Sequence, residues 1–254
     1  VNMREIVDEI FIVDGAQTEF SNLWEHVVDE LGYTRTLNNT WNALYVPFQI
    51  ELTGEFLANY DVAYINNVHS YDWDENGELD DWNIEIIKIK KLGKLKANHP
   101  YVIRPKNDEA MNLNITQYNT TLYSTAADKQ TDVTCSSAYM QYAVKGVYSK
   151  TASAYLDNGN YVYAINKNGE WQKMGLETSL IPFRLYLTME SRDGSPVDVN
   201  ISAAQSIRMR LVGEESEDGT TVIYDVDMDG ALETDCIYDL YGRRILKPQQ
   251  GCIY

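Results

Sequence analysis

Basic residues, histidine and cysteine are scarce in this sequence of 254 residues. Lysine and arginine number 21 against 38 acidic residues, so the formal net charge is −17. A field of that sign repels phosphate backbones and anionic lipid surfaces, so we expect no nucleic-acid partner. One basic cluster stands out, and we interpret it as the solvated face of an edge strand, where lysine blocks strand addition: Lys88, Lys90, Lys91, Lys94 and Lys96.

Long apolar runs are also missing. No run approaches the ~18 residues that a membrane helix needs, so we expect no transmembrane segment. The first ten residues, VNMREIVDEI, lack the basic and apolar regions of a signal peptide. Cys135, Cys236 and Cys252 cannot all pair within one chain and form no C-x-x-C motif, so we expect no structural zinc. We expect all three to be buried, unpaired thiols. A disulfide between Cys236 and Cys252 is the alternative.

Motifs that carry catalysis are absent as well. The sequence has no G-x-S-x-G, no Walker loop, no G-x-G-x-x-G and no H-E-x-x-H. His26, His69 and His99 have no ligand partner at zinc spacing and are expected to be packed or in turns. No acidic residue ends an apolar strand, where burial would raise its pKa, so a glycosidase carboxylate pair is only a minor alternative. We therefore expect no catalytic site and predict that the protein is not an enzyme.

The sequence is rich in strand signals. Apolar and polar residues alternate with period two in 161–165, 183–190 and 207–211, and 19 tyrosines add to the strand preference. Asn76-Gly77 and Asn168-Gly169 predict hairpin turns. The fold class is therefore all-β, with a β-sandwich or barrel-like main domain over residues 1–212. Further strands are predicted at 33–37, 43–52, 62–68, 84–89, 101–104, 112–115 and 139–147.

Helix is expected to stay below about 15% of the chain, against a common ~30–35%. Helices are expected at 21–31, where Leu23, Val27, Val28 and Leu31 recur at helical spacing after a Ser21 N-cap, and at 53–59. For VVDEL, within the first segment, a strand stays open as the alternative. An acidic, glycine-bearing segment at 213–221 reads as a linker. Residues 213–254 are then a small β module, in which 237–240 pairs with 244–246 across Gly242.

Two stretches carry a family resemblance. YTRTLNNTWNALYVPFQIEL at 33–52 is followed by VAYINNVHSYDWDENGELDDWNIEIIKI and LKANHPYVIRPK. Together they resemble the β-rich region of exported Bacteroidetes surface proteins, as found with leucine-rich-repeat proteins, over residues 30–212. IYDLYGRRILKPQQGCIY at 237–254 resembles a C-terminal sorting-type tail of the type IX secretion kind. The resemblance implies a secreted or cell-surface, adhesin-like protein. Cys252 interrupts the tail's G-I-Y pattern, whose last strand is expected to be incomplete at Tyr254.

An acidic loop at 72–80 resembles a calcium loop in its spacing. Asp72, Asp74, Asn76 and Asp80 occupy positions 1, 3, 5 and 9, and Gly77 occupies position 6. Residues 225–233 repeat the pattern, but neither copy has the bidentate glutamate at position 12. Two interpretations stay open. The loop is either a calcium site, in which case calcium is the cofactor, or an acidic hairpin tip without a metal.

The functional prediction is a non-enzymatic exported or cell-surface interaction or structural module whose partner is a protein or a glycan. The alternative is a carbohydrate-binding module of a glycan-utilisation protein. Trp73, Trp82 and Trp171 lie near predicted hairpin ends. We interpret them as cross-strand packing residues, with stacking on sugars as the alternative.

Overall fold

The computed structural model describes residues 7–71, 81–107, 109–136, 140–153, 156, 162–175, 177–191, 206–215, 220–223, 225–226, 232–233, 237–238 and 244–245. Strands make up 61% of the structure and helices 6%, and the largest sheet curls into a half-barrel. The all-β prediction is therefore confirmed, as is the low helix content. Among the described residues, no helix is long and apolar enough to cross a membrane.

The first strands in chain order are β1 (Val7–Val13), β2 (His26–Leu37), β3 (Asn42–Leu44), β4 (Ile50–Leu52), β5 (Tyr60–Tyr71), β6 (Asp81–Ile89), β7 (Gly93–Leu95), β8 (Tyr101–Pro105) and β9 (Met111–Leu122). They are followed by β10 (Val133–Ser136), β11 (Met140–Val147), β12 (Thr151–Ala152), β13 (Val162–Ile165), β14 (Trp171–Lys173), β15 (Ser179–Leu180), β16 (Arg184–Ser191) and β17 (Ser206–Glu215). Short strands complete the set: β18 (Thr221–Ile223), β19 (Asp225–Val226), β20 (Leu232–Glu233), β21 (Ile237–Tyr238) and β22 (Arg244–Ile245).

The largest sheet has eleven strands in the order β10-β11-β16-β13-β14-β17-β6-β5-β8-β3, with β18 paired beside β17. Its pairs are antiparallel except β6–β17, which is parallel. A second sheet has three strands, with β2 between a parallel β1 and an antiparallel β9. The pairs β4–β7, β12–β15, β19–β20 and β21–β22 form two-stranded sheets.

The core lies where the inner face of the three-stranded sheet packs on the rest of the fold. Tyr33 of β2 is buried, and its ring centroid lies 5.7 Å from that of Phe48 and 5.9 Å from that of Phe183. Leu185, Leu187 and Met189 of β16 join the same core. The strand predicted there is confirmed, and Thr188, between Leu187 and Met189, is buried as well. Because one face of the small sheet is used for this packing, its other face is left to solvent.

The helix predicted at 53–59 is confirmed, whereas the helix predicted at 21–31 is wrong. Gly54–Asn59 forms α1, and the Thr53 side chain caps it by accepting a hydrogen bond from the Phe56 backbone nitrogen at 3.1 Å. A 3-10 turn at Ala127–Lys129 is the other helical element that the described ranges contain. Residues 26–31 belong instead to strand β2, which pairs with β9 along its length.

A local irregularity in the three-stranded sheet explains why a helix was wrongly predicted at 21–31. Val28 and Leu31 are both buried although they lie three residues apart, a spacing typical of helices. On β9, Asn119 lies between the partners of Val28 and Glu30 and has a φ of 49°. This left-handed residue breaks the pleat, so the strand imitates helical spacing over that short stretch.

The lysine cluster also needs a correction. Strand β6 is not an edge strand, because it lies between β5 and β17. Lys88 therefore lies within the sheet, where its Nζ atom is 2.8 Å from Asp61 Oδ1 and 3.7 Å from Glu214 Oε1. Lys90 pairs with Glu214 as well. Ion pairing rather than strand blocking explains these two lysines.

The hairpin predicted at Asn168-Gly169 is confirmed. Strands β13 and β14 pair antiparallel, with Ile165 opposite Trp171. Gly169 has a φ of 76°, and a Cβ atom there would lie 2.9 Å from the Trp41 backbone nitrogen. Both the left-handed backbone and the close approach require glycine.

In the C-terminal region the predicted hairpin is formed, since Ile237 pairs with Ile245 and Tyr238 with Arg244. Strand β17 crosses the predicted junction at 212/213, and β18 pairs with it. The division into units 1–212 and 213–254 stays a prediction, with residues 213–215 and 221–223 paired in the large sheet.

Candidate functional site

The residues predicted to bind calcium, Asp72, Asp74, Asn76 and Asp80, lie outside the described residues. The strands on either side pair up to Tyr71 and Asp81, so the segment connects β5 to β6. In the second copy, Asp225 pairs with Glu233 across β19 and β20, and residues 227–231 are outside the described ranges. In the described part of the chain no three His, Cys, Asp or Glu side chains group as a metal site. Calcium binding stays a prediction.

The tryptophans differ in exposure. Trp171 is fully buried in β14, which confirms the packing interpretation for that residue. Trp82 lies in β6 opposite Ser70, but its side chain, like Trp73, is outside what the structure describes. Trp24, which sequence reasoning did not select, is 77% exposed in the loop before β2.

The histidine side chains that the structure describes are those of His26 and His99. His99 is partly buried and its ring packs at 4.9 Å from Tyr101, while burial, with Lys96 as the second cause, lowers its pKa. His26 Nδ1 lies 2.9 Å from the Trp24 carbonyl oxygen. Cys135 lies in β10, and Cys236, Cys252 and the side chains of Cys135 and His69 are outside the described residues. His26 and His99 fit the packed or turn roles predicted for them.

An exposed face of the three-stranded sheet is the strongest candidate for a binding site. Ile12, Leu31 and Tyr33 point to the core, so the alternate residues of each strand point to solvent. We call this the outer face, and it comprises Glu9, Phe11, Val13, Glu30, Gly32, Thr34, Thr36, Asn112, Asn114, Thr116 and Tyr118.

Two aromatic rings stand on the outer face. Phe11 is 59% exposed and Tyr118 is 67% exposed. Phe11 lies opposite Gly32, and a Cβ atom on Gly32 would come within 2.5 Å of the Phe11 ring. The glycine therefore leaves room for the ring to lie across the middle strand. Strand spacing and rise place the Phe11 and Tyr118 backbones about 12 Å apart.

Cross-strand hydrogen bonds fix the polar groups beside the rings. Thr34 Oγ1 donates to Asn114 Oδ1 at 2.7 Å, and Thr36 Oγ1 donates to Asn112 Oδ1 at 2.9 Å. Each bond holds an amide oxygen, so the orientation of each amide is set. Both amide nitrogens remain as donors with no partner among the described residues.

The loop that carries Trp24 is anchored at its base. Asn22 is buried, and its Nδ2 atom donates to the carbonyl oxygens of Leu122 at 3.2 Å and Tyr123 at 3.0 Å. The Asn22 backbone nitrogen donates to Thr125 Oγ1 at 2.9 Å. These bonds hold the exposed Leu23 and Trp24 where β2 and β9 meet at His26 and Leu122.

A buried carboxylate elsewhere in the fold has a structural role. Asp61 Oδ2 accepts hydrogen bonds from Arg104 Nε at 3.1 Å and Nη2 at 2.9 Å, beside its ion pair with Lys88. Burial would raise the pKa of Asp61, but the bonds from Lys88 and Arg104 outweigh burial and lower it. The Arg104 guanidinium also lies 4.7 Å from the Trp41 ring centroid. A carboxylate held ionised by Lys88 and Arg104 is not set up as a general acid.

Comparison with known proteins identifies no relative. No protein-family model, no curated protein and no solved structure matches the chain.

Proposed function

We propose that this chain is a non-enzymatic interaction module of an exported or cell-surface protein, and that it binds through the outer face. The observation that carries the proposal is the pair of exposed rings, Phe11 and Tyr118, on a sheet whose other face is packed. Large exposed aromatic side chains beside oriented polar groups are typical of binding surfaces. Rigid strands hold such groups more accurately than loops do.

A neutral glycan is the ligand that fits this face best. The rings offer flat apolar surfaces for the C–H faces of sugars, while the amides of Asn112 and Asn114 can donate to sugar hydroxyls. Glu9 of β1 lies opposite Glu30 of β2, and Glu30 in turn lies opposite Tyr118 of β9. Their carboxylates can accept from hydroxyls and repel anionic ligands. Charged residues are depleted at the centres of protein interfaces, which favours a glycan over a protein partner.

A glycan array is the experiment for this proposal. Wild-type protein should bind neutral glycans, and the Phe11→Ala/Tyr118→Ala double variant should bind them about tenfold or more weakly, at ~1 kcal/mol per ring. Leu92→Ala is the matched control, since Leu92 is equally exposed but lies between β6 and β7. Absence of binding to any neutral glycan would contradict the glycan assignment, and an equal loss in Leu92→Ala would contradict the placement on the outer face.

We also propose that the C-terminal hairpin serves export. The resemblance of residues 237–254 to sorting-type tails motivates the proposal, and the pairing of β21 with β22 agrees with the hairpin that such tails contain. This role is independent of the outer face, so either proposal can fail without the other.

A further inference from the structure

A buried cluster of charges joins the two larger sheets. The side chain of Asp14, just after β1, is 1% exposed. Arg184 Nη1 of β16 donates to Asp14 Oδ1 at 2.9 Å and to Oδ2 at 2.8 Å. Arg35 Nε of β2 lies 2.9 Å from Asp14 Oδ2, although it is not aligned for a hydrogen bond. One carboxylate therefore serves two guanidinium groups.

The charges in this cluster do not balance. Two cations and one anion leave a net charge of one positive unit, and no second carboxylate contacts the arginines in the described part of the chain. Tyr33 cannot supply the missing charge, because burial raises its pKa to about 12. Burial, followed by the charge of Arg35, lowers the pKa of Arg184. An unpaired buried charge is costly, so a counter-ion would stabilise the cluster.

Some N–H groups of the guanidinium groups make no described hydrogen bond. Every described contact of the Arg184 guanidinium uses Nη1, which also lies 3.3 Å from the Pro182 carbonyl oxygen. Arg35 Nη1 donates to the Ala43 carbonyl oxygen. A guanidinium has five N–H donors, and Nε and Nη2 of Arg184 have no partner among the described residues.

A small cavity is lined by both arginines. It has a volume of about 180 Å³, and its walls include Arg35, Arg184 and Lys167 together with Asn38 and Asn166. That volume is close to the space of six water molecules at ~30 Å³ each, well below the ~300–1,000 Å³ of sites for larger ligands. That size suits a small ion or molecule.

We propose that this cavity binds a small organic monocarboxylate. A planar carboxylate matches the fork of a guanidinium with two parallel hydrogen bonds, which a spherical halide cannot do. A single negative charge balances Asp14 and the two arginines, and the preference over sulfate rests on the planar fork. Lys167, in the turn between β13 and β14, lies at the cavity wall and adds a further positive charge. The site does not rest on the glycan proposal, because Arg35, Arg184 and Lys167 lie off the outer face; Thr36 lines the cavity and also belongs to the outer face.

Thermal unfolding with acetate as the probe tests the site, with sodium chloride at equal ionic strength as the reference. Ligand at ten times its Kd should raise Tm of the wild type by about 3–6 °C. Arg184→Gln leaves Asp14 and Arg35 as a balanced pair, so it should fold and show no acetate-dependent shift. Lys129→Gln, on an exposed pair with Asp128, is the control and should keep the full shift.

Three further measurements make the outcome decisive. Glucuronate in place of acetate tells whether the carboxylate comes from a free small acid or from an acidic sugar, and a Tm rise with either supports the site. If Arg184→Gln does not fold, Arg184→Lys keeps the charge without the fork and should bind acetate at least tenfold more weakly by calorimetry. No acetate shift in the wild type, an equal shift with sulfate, or undiminished binding in the Arg184 variants would overturn the proposal.

Discussion

At the scale of single residues, Asp61 is the clearest test of the electrostatics. Replacing it with asparagine removes the charge that Lys88 and Arg104 contact. We expect Asp61→Asn to lower the free energy of unfolding by about 2–3 kcal/mol at pH 7, since hydrogen bonds to charged groups contribute about that much. Urea denaturation measures the change. Asp128→Asn, at an exposed pair, is the control and should change stability by less than ~0.5 kcal/mol.

The pH dependence of the Asp61 effect follows from the sign of its shift. The pKa of Asp61 is lowered in the folded state, so the unfolded chain binds the proton more readily. Its contribution to stability is therefore complete above the unfolded pKa of about 4 and is lost as the pH falls through the lower folded value. The difference between wild type and Asp61→Asn should shrink below pH 4, and a difference that grows there would contradict the ion-pair explanation.

At the scale of elements, the Tyr45 ring packs directly against the backbone of strand β11 at Gly146. A Cβ atom on Gly146 would overlap the buried Tyr45 ring. The Tyr45 ring in turn lies 4.9 Å from that of Tyr148, so it has little room to move. We expect Gly146→Ala to cost about 1–3 kcal/mol through overpacking. Gly54→Ala is the control, because nothing lies within 4 Å of its Cβ position. Equal stability of the two variants in urea would show that the Tyr45 ring can yield.

The C-terminal hairpin gives a prediction at the same scale. Deleting residues 225–254 leaves β17 and β18 intact, so the truncated protein should keep a cooperative melting transition. If the hairpin serves export, the truncated protein should remain inside the cell. Cell fractionation measures this, with the untruncated chain as the control. Normal surface display after truncation would contradict the sorting role, and loss of the melting transition would show that the segment belongs to the core.

How far the sequence predicts an element depends on how regular its pleat is. In β16, Leu185, Leu187 and Met189 alternate without a break, and the strand was predictable. In β2, the left-handed Asn119 on the partner strand disturbs the alternation, and the same rule gave a helix. Asn119 belongs to a strand some ninety residues away, so no local pattern in β2 could have revealed it.

At the scale of the whole molecule, the order of the strands could not be predicted from the sequence. The parallel pairing of β6 with β17 joins Asn83 to Arg208, and no local turn signals such a contact. The outer face was missed for the same reason. Residues 9–13 read EIFIV, in which apolar residues fall on both faces, so only the pairing with β2 tells that Phe11 is exposed. On β9, the strand predicted at 112–115 is confirmed, with Leu113 and Ile115 buried and Asn112, Asn114 and Thr116 exposed.

Binding of a neutral glycan to the outer face is most directly tested by calorimetric titration of a glycan selected on the array. We expect Phe11→Ala and Tyr118→Ala each to weaken Kd about three- to tenfold, because each ring contributes about 1 kcal/mol. Leu92→Ala should bind as the wild type does, and all variants should share its melting temperature, since these side chains are exposed. Unchanged affinity in both ring variants would contradict binding through this face.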